Sequence, residues 1–385
     1  MSISRRRFLH GLGAAAGSLW LLPRPAMASA GSERRFVFVI QRGAADGLNT
    51  VIPYADPGYA RLRGSLAIAS ADAIKLDGTF ALHPALGELG KRYAAGEALF
   101  VHAVASPYRE RSHFDGQNVL ESGADQPYAV RDGWLNRLSA LLPAGDSEPI
   151  AVSPTVPLAL RGNAPVSSYA DSALPEVSDD LLMRVERLYA DDAQLHELWA
   201  SAMAARALAG DDGSARQTPA RLGKLAATFL SQANGPRIAM LETGGWDTHN
   251  GQNPRLALRL RGLDELLAAL RTGLGTAWGD TVVVVATEFG RTVAVNGTQG
   301  TDHGTASVAM LLGGAVNGGR VVTDWPGLDT ASLHEGRDLK PTIELDAVLA
   351  SAAAQTFGLD PGRVASVLFP ACKGLRPLDG LIRAA

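Results

Sequence analysis

Cysteine is all but absent: Cys372 is the only one in 385 residues. A single thiol cannot close an intrachain disulfide and cannot build a thiolate metal cluster. A basic balance is missing too, since 36 Lys and Arg stand against 39 Asp and Glu for a formal net charge of -3. That argues against nucleic acid as a partner. Two mechanical parts of common enzymes are lacking. The chain has no Gly-x-Ser-x-Gly elbow and no Gly-x-x-x-x-Gly-Lys loop, so serine esterase and P-loop nucleotide chemistry are set aside. Internal repeats, heptad arrays and low-complexity linkers are also missing. With 46% hydrophobic residues and 42 glycines, one elaborated domain with many tight turns is the economical reading.

The first 30 residues read as an export segment and do not enter the fold reasoning. Ser4-Arg5-Arg6-Arg7-Phe8-Leu9 resembles the twin-arginine signature, runs into the apolar stretch Gly11 to Leu22, and reaches the small-residue site Ala26-Met27-Ala28. That stretch falls short of the ~20 residues of a membrane span, so a cleaved signal is expected ahead of the alternative, an uncleaved signal-anchor, with membrane contact through this segment only. Gly11, Gly13 and Gly17 imitate a dinucleotide loop but precede any strand, which rules out a Rossmann reading. The signature implies the twin-arginine translocation machinery as a partner, export of a folded protein, and a periplasmic or extracellular destination. Removing the segment's four arginines, with no acid, takes the formal charge from -3 to about -7.

What the chain does have is acids and imidazoles placed at strand ends. Gly-Gly-Trp-Asp247-Thr-His249 follows the apolar run Pro236 to Leu241. Thr281 to Ala286, a β-branched run of the kind buried on both faces, leads into Thr-Glu288-Phe-Gly-Arg291, and Thr-Asp302-His303-Gly-Thr comes soon after. In α/β sheets ligands bind beyond the carboxyl ends of such strands. Carboxylates and imidazoles together suit a divalent metal, Zn, Mn or Ca, as one or two ions.

The rest of the chain alternates strands with helices. Arg35 to Gln41 and Leu99 to Ala105 read as strands, the first ending in a glycine-punctuated loop that carries Arg42 and Asp46. Ser112, three residues before Asp115, has the spacing of a capping box. Residues 123 to 178 carry many Pro, Gly and Ser and read as an excursion over the site, extending with the helical Asp179 to Leu208 to about residue 210. Thr218-Pro219 and Asn253-Pro254 each look like an N-cap followed by proline. Leu256, Leu260, Leu263, Leu267 and Leu270 then form an apolar helical stripe. Val308 to Leu312 and Arg320 to Thr323 add strands, and Thr342 to Phe357 a helix closed by Gly358. The fold class expected is α/β, a mostly parallel layered sheet with helices on both faces.

The motif series resembles a bacterial family of twin-arginine-exported proteins of unknown function, placed in the alkaline phosphatase and sulfatase superfamily. The residues that carry it are Arg42-Gly-x-x-Asp46-Gly-Leu-Asn-Thr-Val-Ile-Pro-Tyr54, Leu82-His-Pro-x-Leu86, Ser112-His-Phe114, Gly-Gly-Trp-Asp247-Thr-His249, Thr-Glu288-Phe-Gly-Arg291-Thr, Thr-Asp302-His303-Gly and Asp324-Trp-Pro-Gly-Leu328. The resemblance implies an alkaline-phosphatase-like fold over residues 31 to 385. It also implies Asp46, Asp247, His249, Glu288 and His303 as metal ligands, Ser112 as nucleophile, and a small anionic ester as substrate. Two departures stand out: Asp247 and His249 are only two apart, and Phe289 stands where a histidine ligand would follow the acid.

Each candidate has a plainer role beside the functional one. Asp and His in glycine-rich turns often cap backbone groups. Asp302 is either a carboxylate orienting His303 or a turn residue. Ser112 is a nucleophile at a helix N-terminus or only a cap. Arg42 and Arg291 hold anionic oxygens or pair with acids. His83 and His113 are candidate site residues, with a hydrogen-bonded structural histidine the expected role for each. The function expected is an exported metal-dependent hydrolase of phosphate or sulfate esters, and the alternative is a non-catalytic exported protein that keeps the fold for binding or envelope assembly.

Overall fold

The computed structural model describes residues 33–143, 148–170, 179–209 and 218–384. The export segment expected at residues 1–30 lies outside them. The body starts with β1 (Arg35–Arg42), the one-turn helix α1 (Gly47–Thr50), β2 (Ala98–Ala105) and α2 (His113–Ser122). Then come β3 (Ile150–Ala151), β4 (Ser167–Ser168), α3 (Asp179–Tyr189) and α4 (Ala193–Ala209). After these follow α5 (Pro219–Leu230), β5 (Ile238–Gly244), α6 (Gln252–Leu274), β6 (Thr281–Ala286), β7 (Ser307–Leu312) and β8 (Arg320–Val322). The chain closes with β9 (Ile343–Glu344), α7 (Leu345–Phe357) and α8 (Pro361–Leu368).

These strands form one sheet in the order β8-β2-β7-β6-β1-β5-β3-β4, with β9 also pairing β2, and Val51–Ile52, Ala81–Leu82 and Ile74–Lys75 form a separate three-stranded antiparallel sheet. The central strand β1 runs parallel to both β5 and β6, and β7 alone lies antiparallel to its two neighbours. Strand alternation divides the core in two. Phe36, Phe38 and Ile40 of β1 face one way, into the cluster with α7 and α8. Val37 and Val39 face the other way, into the cluster with α5 and α6. The stripe Leu256, Leu260, Leu263, Leu267 and Leu270 is buried on this second face, each leucine contributing roughly 1.5–3 kcal/mol of transfer free energy. Helices α5 and α6 touch closely because Gly223 has no side chain; a Cβ there would lie 2.1 Å from the Leu266 carbonyl oxygen.

The α/β class and the main strands agree with the sequence pattern, and the differences are local. Within the stretch expected to pass over the site, Trp134 is fully buried against Phe36 and Phe38, and β3 and β4 extend the sheet beyond β5. The long helical stretch breaks into α3 and α4 around Ala190–Asp192, where Asp192 accepts from the amides of Gln194 and Leu195 and starts a new helix. Thr218 caps α5 as its proline neighbour predicts. Asn253 does not cap α6: the cap position belongs to Gly251 at φ 49°, and the Asn253 amide bonds the Ser65 carbonyl instead. Among the described residues no helix is long and apolar enough to cross a membrane.

Candidate metal centre

The site assembles where β1, β5 and β6 end side by side, because parallel neighbours deliver their carboxyl-end loops to one edge. The loop after β5 brings Asp247 and His249. The segment after β6 brings Glu288 and Arg291, and a turn paired with it through an Arg291–His303 bridge brings Asp302 and His303. The first residue of α2 brings His113. Gly43 lets these loops close. It sits at φ 119°, and a Cβ would meet the Asp247 amide at 2.8 Å.

Each imidazole has one nitrogen committed and the other aimed inward. His113 Nδ1 lies 2.9 Å from Glu288 Oε1, His249 Nδ1 lies 3.2 Å from Asp302 Oδ1, and His303 Nδ1 lies 2.8 Å from the Arg111 carbonyl. All three partners are acceptors, so each Nδ1 carries the proton and each Nε2 is a bare lone pair. The Nε2 atoms of His249 and His303 face each other at 3.0 Å. Asp247 Oδ1 lies 3.0 Å from the first and 3.3 Å from the second, and Asp247 Oδ2 lies 3.5 Å from His113 Nε2. His113 Nε2 is buried and has no hydrogen-bond partner.

Converging acceptors repel unless a cation lies among them. One proton could join the His249 and His303 nitrogens but would leave the buried His113 Nε2 without a hydrogen-bond partner. A divalent metal satisfies all of them. Four ligands at about 2.0 Å around a tetrahedral ion stand about 3.3 Å apart, close to the spacings here. The ligand atoms of His113, Asp247 and His303 all lie within 4.8 Å of one another.

The surroundings hold these donors in place. Glu288 is fully buried, and its Oε1 accepts from the Gly43 amide at 2.8 Å and the Gln117 amide at 3.0 Å besides His113. Burial pushes the Glu288 carboxyl up, but the bonds from His113, Gln117 and the backbone outweigh it and leave the acid below its ordinary range. The Glu288 bond raises His113 in turn. Burial lowers His303, which favours the neutral ring that a metal needs. Arg291, itself buried, donates to Asp247 Oδ1 at 2.6 Å and to the Thr301 side chain and carbonyl.

Several sequence-predicted site residues have other jobs. Asp46 is not placed to bind metal: Arg63 grips its two oxygens at 2.6 and 2.8 Å, Gln252 donates at 2.5 Å, and the Asn49 amide is capped by it. Glu288 spends its oxygens on His113, Gln117, Gly43 and Thr287, so it orients the His113 ring. Arg42 is spent on Gln117, Glu121 and Glu242. Arg291 grips Asp247 and is not open to an anion. Ser112 occupies the cap position of α2, but its hydroxyl makes no capping bond, so the capping-box reading fails. His83, buried and lowered to about 4 by burial, accepts from the Ala85 amide as a structural residue.

His113 is the residue that the sequence reading weighed for the site but set down as structural. Its signal was the Ser-His-Phe motif, yet 134 positions separate it from Asp247.

Residues 33–369 match a family described as "Protein of unknown function (DUF1501)". The chain belongs to the DUF1501 family. No curated protein matches it. Among solved structures, this DUF1501 chain is similar to the PsFucS1 sulfatase from Pseudoalteromonas sp., at 13% identity over 99% of this chain and 78% of that one, with a TM-score of 0.40. It is similar to the phosphonate monoester hydrolase of Agrobacterium radiobacter at 12% identity, covering 89% and 79%, TM-score 0.38. The C-terminal periplasmic domain of EcEptC from Escherichia coli, solved in complex with Zn, matches at 10% identity over 74% of each chain, TM-score 0.38.

Proposed function

We propose that this DUF1501 chain is an exported hydrolase of phosphate or sulfate esters that works with one divalent metal held by Asp247, His113, His249 and His303. The observation that carries the reading is the convergence of three bare Nε2 atoms on one carboxylate, each imidazole fixed by a separate acceptor. The ester class follows the motif resemblance, and export follows the twin-arginine signature at Arg5 and Arg6. Bound there, the ion supplies Lewis acidity to the ester oxygen and to the attacking hydroxyl or water. The protein's part is to hold the three rings rigid with each Nε2 turned inward. Glu288, Asp302 and the Arg111 carbonyl retain the Nδ1 protons, and Arg291 fixes the Asp247 carboxylate. Ser112 adjoins His113 at the start of α2 with its hydroxyl free of any capping bond, which makes it the candidate nucleophile.

The second reading is a non-catalytic exported protein that uses the same ion structurally. It is favoured by one observation: Arg42 and Arg291 are spent on internal partners and do not offer a guanidinium to an anion. A panel of phosphate and sulfate monoesters and diesters, presented to metal-loaded protein, separates the two. Turnover that disappears with chelator, and falls by orders of magnitude in Ser112→Ala at unchanged melting temperature, supports the enzyme. Loaded protein inert on the whole panel supports the second reading.

A further inference from the structure

Arg111 stands between two of the imidazoles and serves both. Its carbonyl accepts the His303 Nδ1 proton, and two residues later His113 opens α2. Its backbone is left-handed, φ 63°, a conformation that a residue with a side chain keeps only where the surroundings enforce it. Asp338 enforces it. The Arg111 guanidinium donates to Asp338 Oδ2 from Nε at 3.1 Å and from Nη2 at 2.8 Å, while Nη2 also reaches the exposed Glu335 at 2.6 Å.

Asp338 is wholly buried, a costly place for a carboxylate unless it is paired. The same Oδ2 accepts from the Thr305 hydroxyl at 2.9 Å, two residues after His303. Its backbone bridges to Thr292, the neighbour of the arginine that grips Asp247. Asp338 therefore points at no metal-facing atom, yet its bonds end on neighbours of the residues that do.

We propose that Asp338 is a positioning residue for the metal centre: through Arg111 it fixes the carbonyl that holds His303 in the tautomer with Nε2 bare. The metal half of this inference rests on the reading given above, while the tautomer half stands on hydrogen-bond geometry alone.

The test uses the full chain with 15N-labelled histidine, zinc as the probe, and the variant Asp338→Asn. Zinc affinity should fall about 10- to 100-fold, the usual effect of losing a partner behind a ligand. In zinc-free protein the His303 nitrogen resonances should move from a single Nδ1-protonated form to a mixture of both tautomers. Glu335→Gln, which removes only the exposed partner of the same guanidinium, should change zinc affinity by less than about two-fold. If Asp338→Asn does not fold, Arg111→Lys keeps the charge but loses the two-toothed grip, and it should show the same tautomer mixture. A folded variant whose His303 tautomer matches the parent, with only its melting temperature lowered, overturns the proposal. A parent that binds no zinc sinks the metal reading instead, and the tautomer result then decides this one alone.

Discussion

Phe289 stacks on the His113 ring, centroids 5.1 Å apart and planes at 18°. The side chain that stands where another histidine was expected is thus an apolar wall behind His113. It is nearly fully buried and also lies 5.3 Å from the His303 ring. Stacking leaves His113 free to pivot only in its own plane, and Glu288 Oε1 at 2.9 Å stops that motion too. With Phe289 in this place and Asp46 tied to Arg63, the residues present fit one ion and not two.

Glu288→Gln tests whether the buried acid acts through His113. The amide is close in shape and can still accept the Nδ1 proton, but the charge behind the ring is lost. Metal affinity should drop about 10- to 100-fold with the fold retained. Affinity equal to the parent's, by competition with a chelating dye, would show that Glu288 is only a packing residue.

Asp46→Asn tests the reassignment of Asp46. Asn caps a helix about as well as Asp, so α1 should survive. The fully buried Arg63 guanidinium would lose its counter-charge, at a cost of about 3–5 kcal/mol in unfolding free energy. The metal content of the folded protein should stay as in the parent. Loss of metal with little loss of stability would restore Asp46 as a ligand.

Asp346 supplies a pH dependence unconnected with the site. Burial pushes its carboxyl up to about 7; the Cys372 thiol and Arg109 pull against this and Glu344 adds to it. The folded state thus binds this proton more tightly than the unfolded chain, whose carboxyl titrates near 3.8. The stabilisation is full below about pH 4, is lost as pH rises toward 7, and changes little beyond. At about 1.4 kcal/mol per unit the loss is on the order of 4 kcal/mol. Asp346→Asn cannot ionise, so in urea unfolding it should match the parent near pH 4 and exceed it by a few kcal/mol at pH 8. Parallel curves for the two proteins across that range would refute the assignment.

The layered α/β class was readable because β1, β5 and β6 are short apolar runs and α6 carries an unbroken leucine stripe, both periodic signals. That Asp247, His249 and His303 meet was readable because glycine-rich turns after such runs fall at the sheet's carboxyl edge. The partnerships were not. Nothing local separates an aspartate that faces two imidazoles from one that faces Arg63, since the deciding residue lies 17 positions away and its reach depends on the fold. The same holds for Arg111 and Asp338, 227 positions apart. Ser112 shows the converse. Its spacing to Asp115 promised a cap, but a hydroxyl can rotate away from the helix end, and here it makes no such bond.

The central claim is that four side chains hold one divalent ion, and elemental analysis of protein purified from its native host tests it most directly. The account predicts one divalent ion per chain, absent from His303→Ala and from Asp247→Ala, with a chelator lowering the melting temperature of the parent alone. An ion at 100 times its dissociation constant contributes about 2.7 kcal/mol, enough to see in the melt. A parent that carries no metal and melts identically with and without chelator, or variants that keep the full ion, would contradict it.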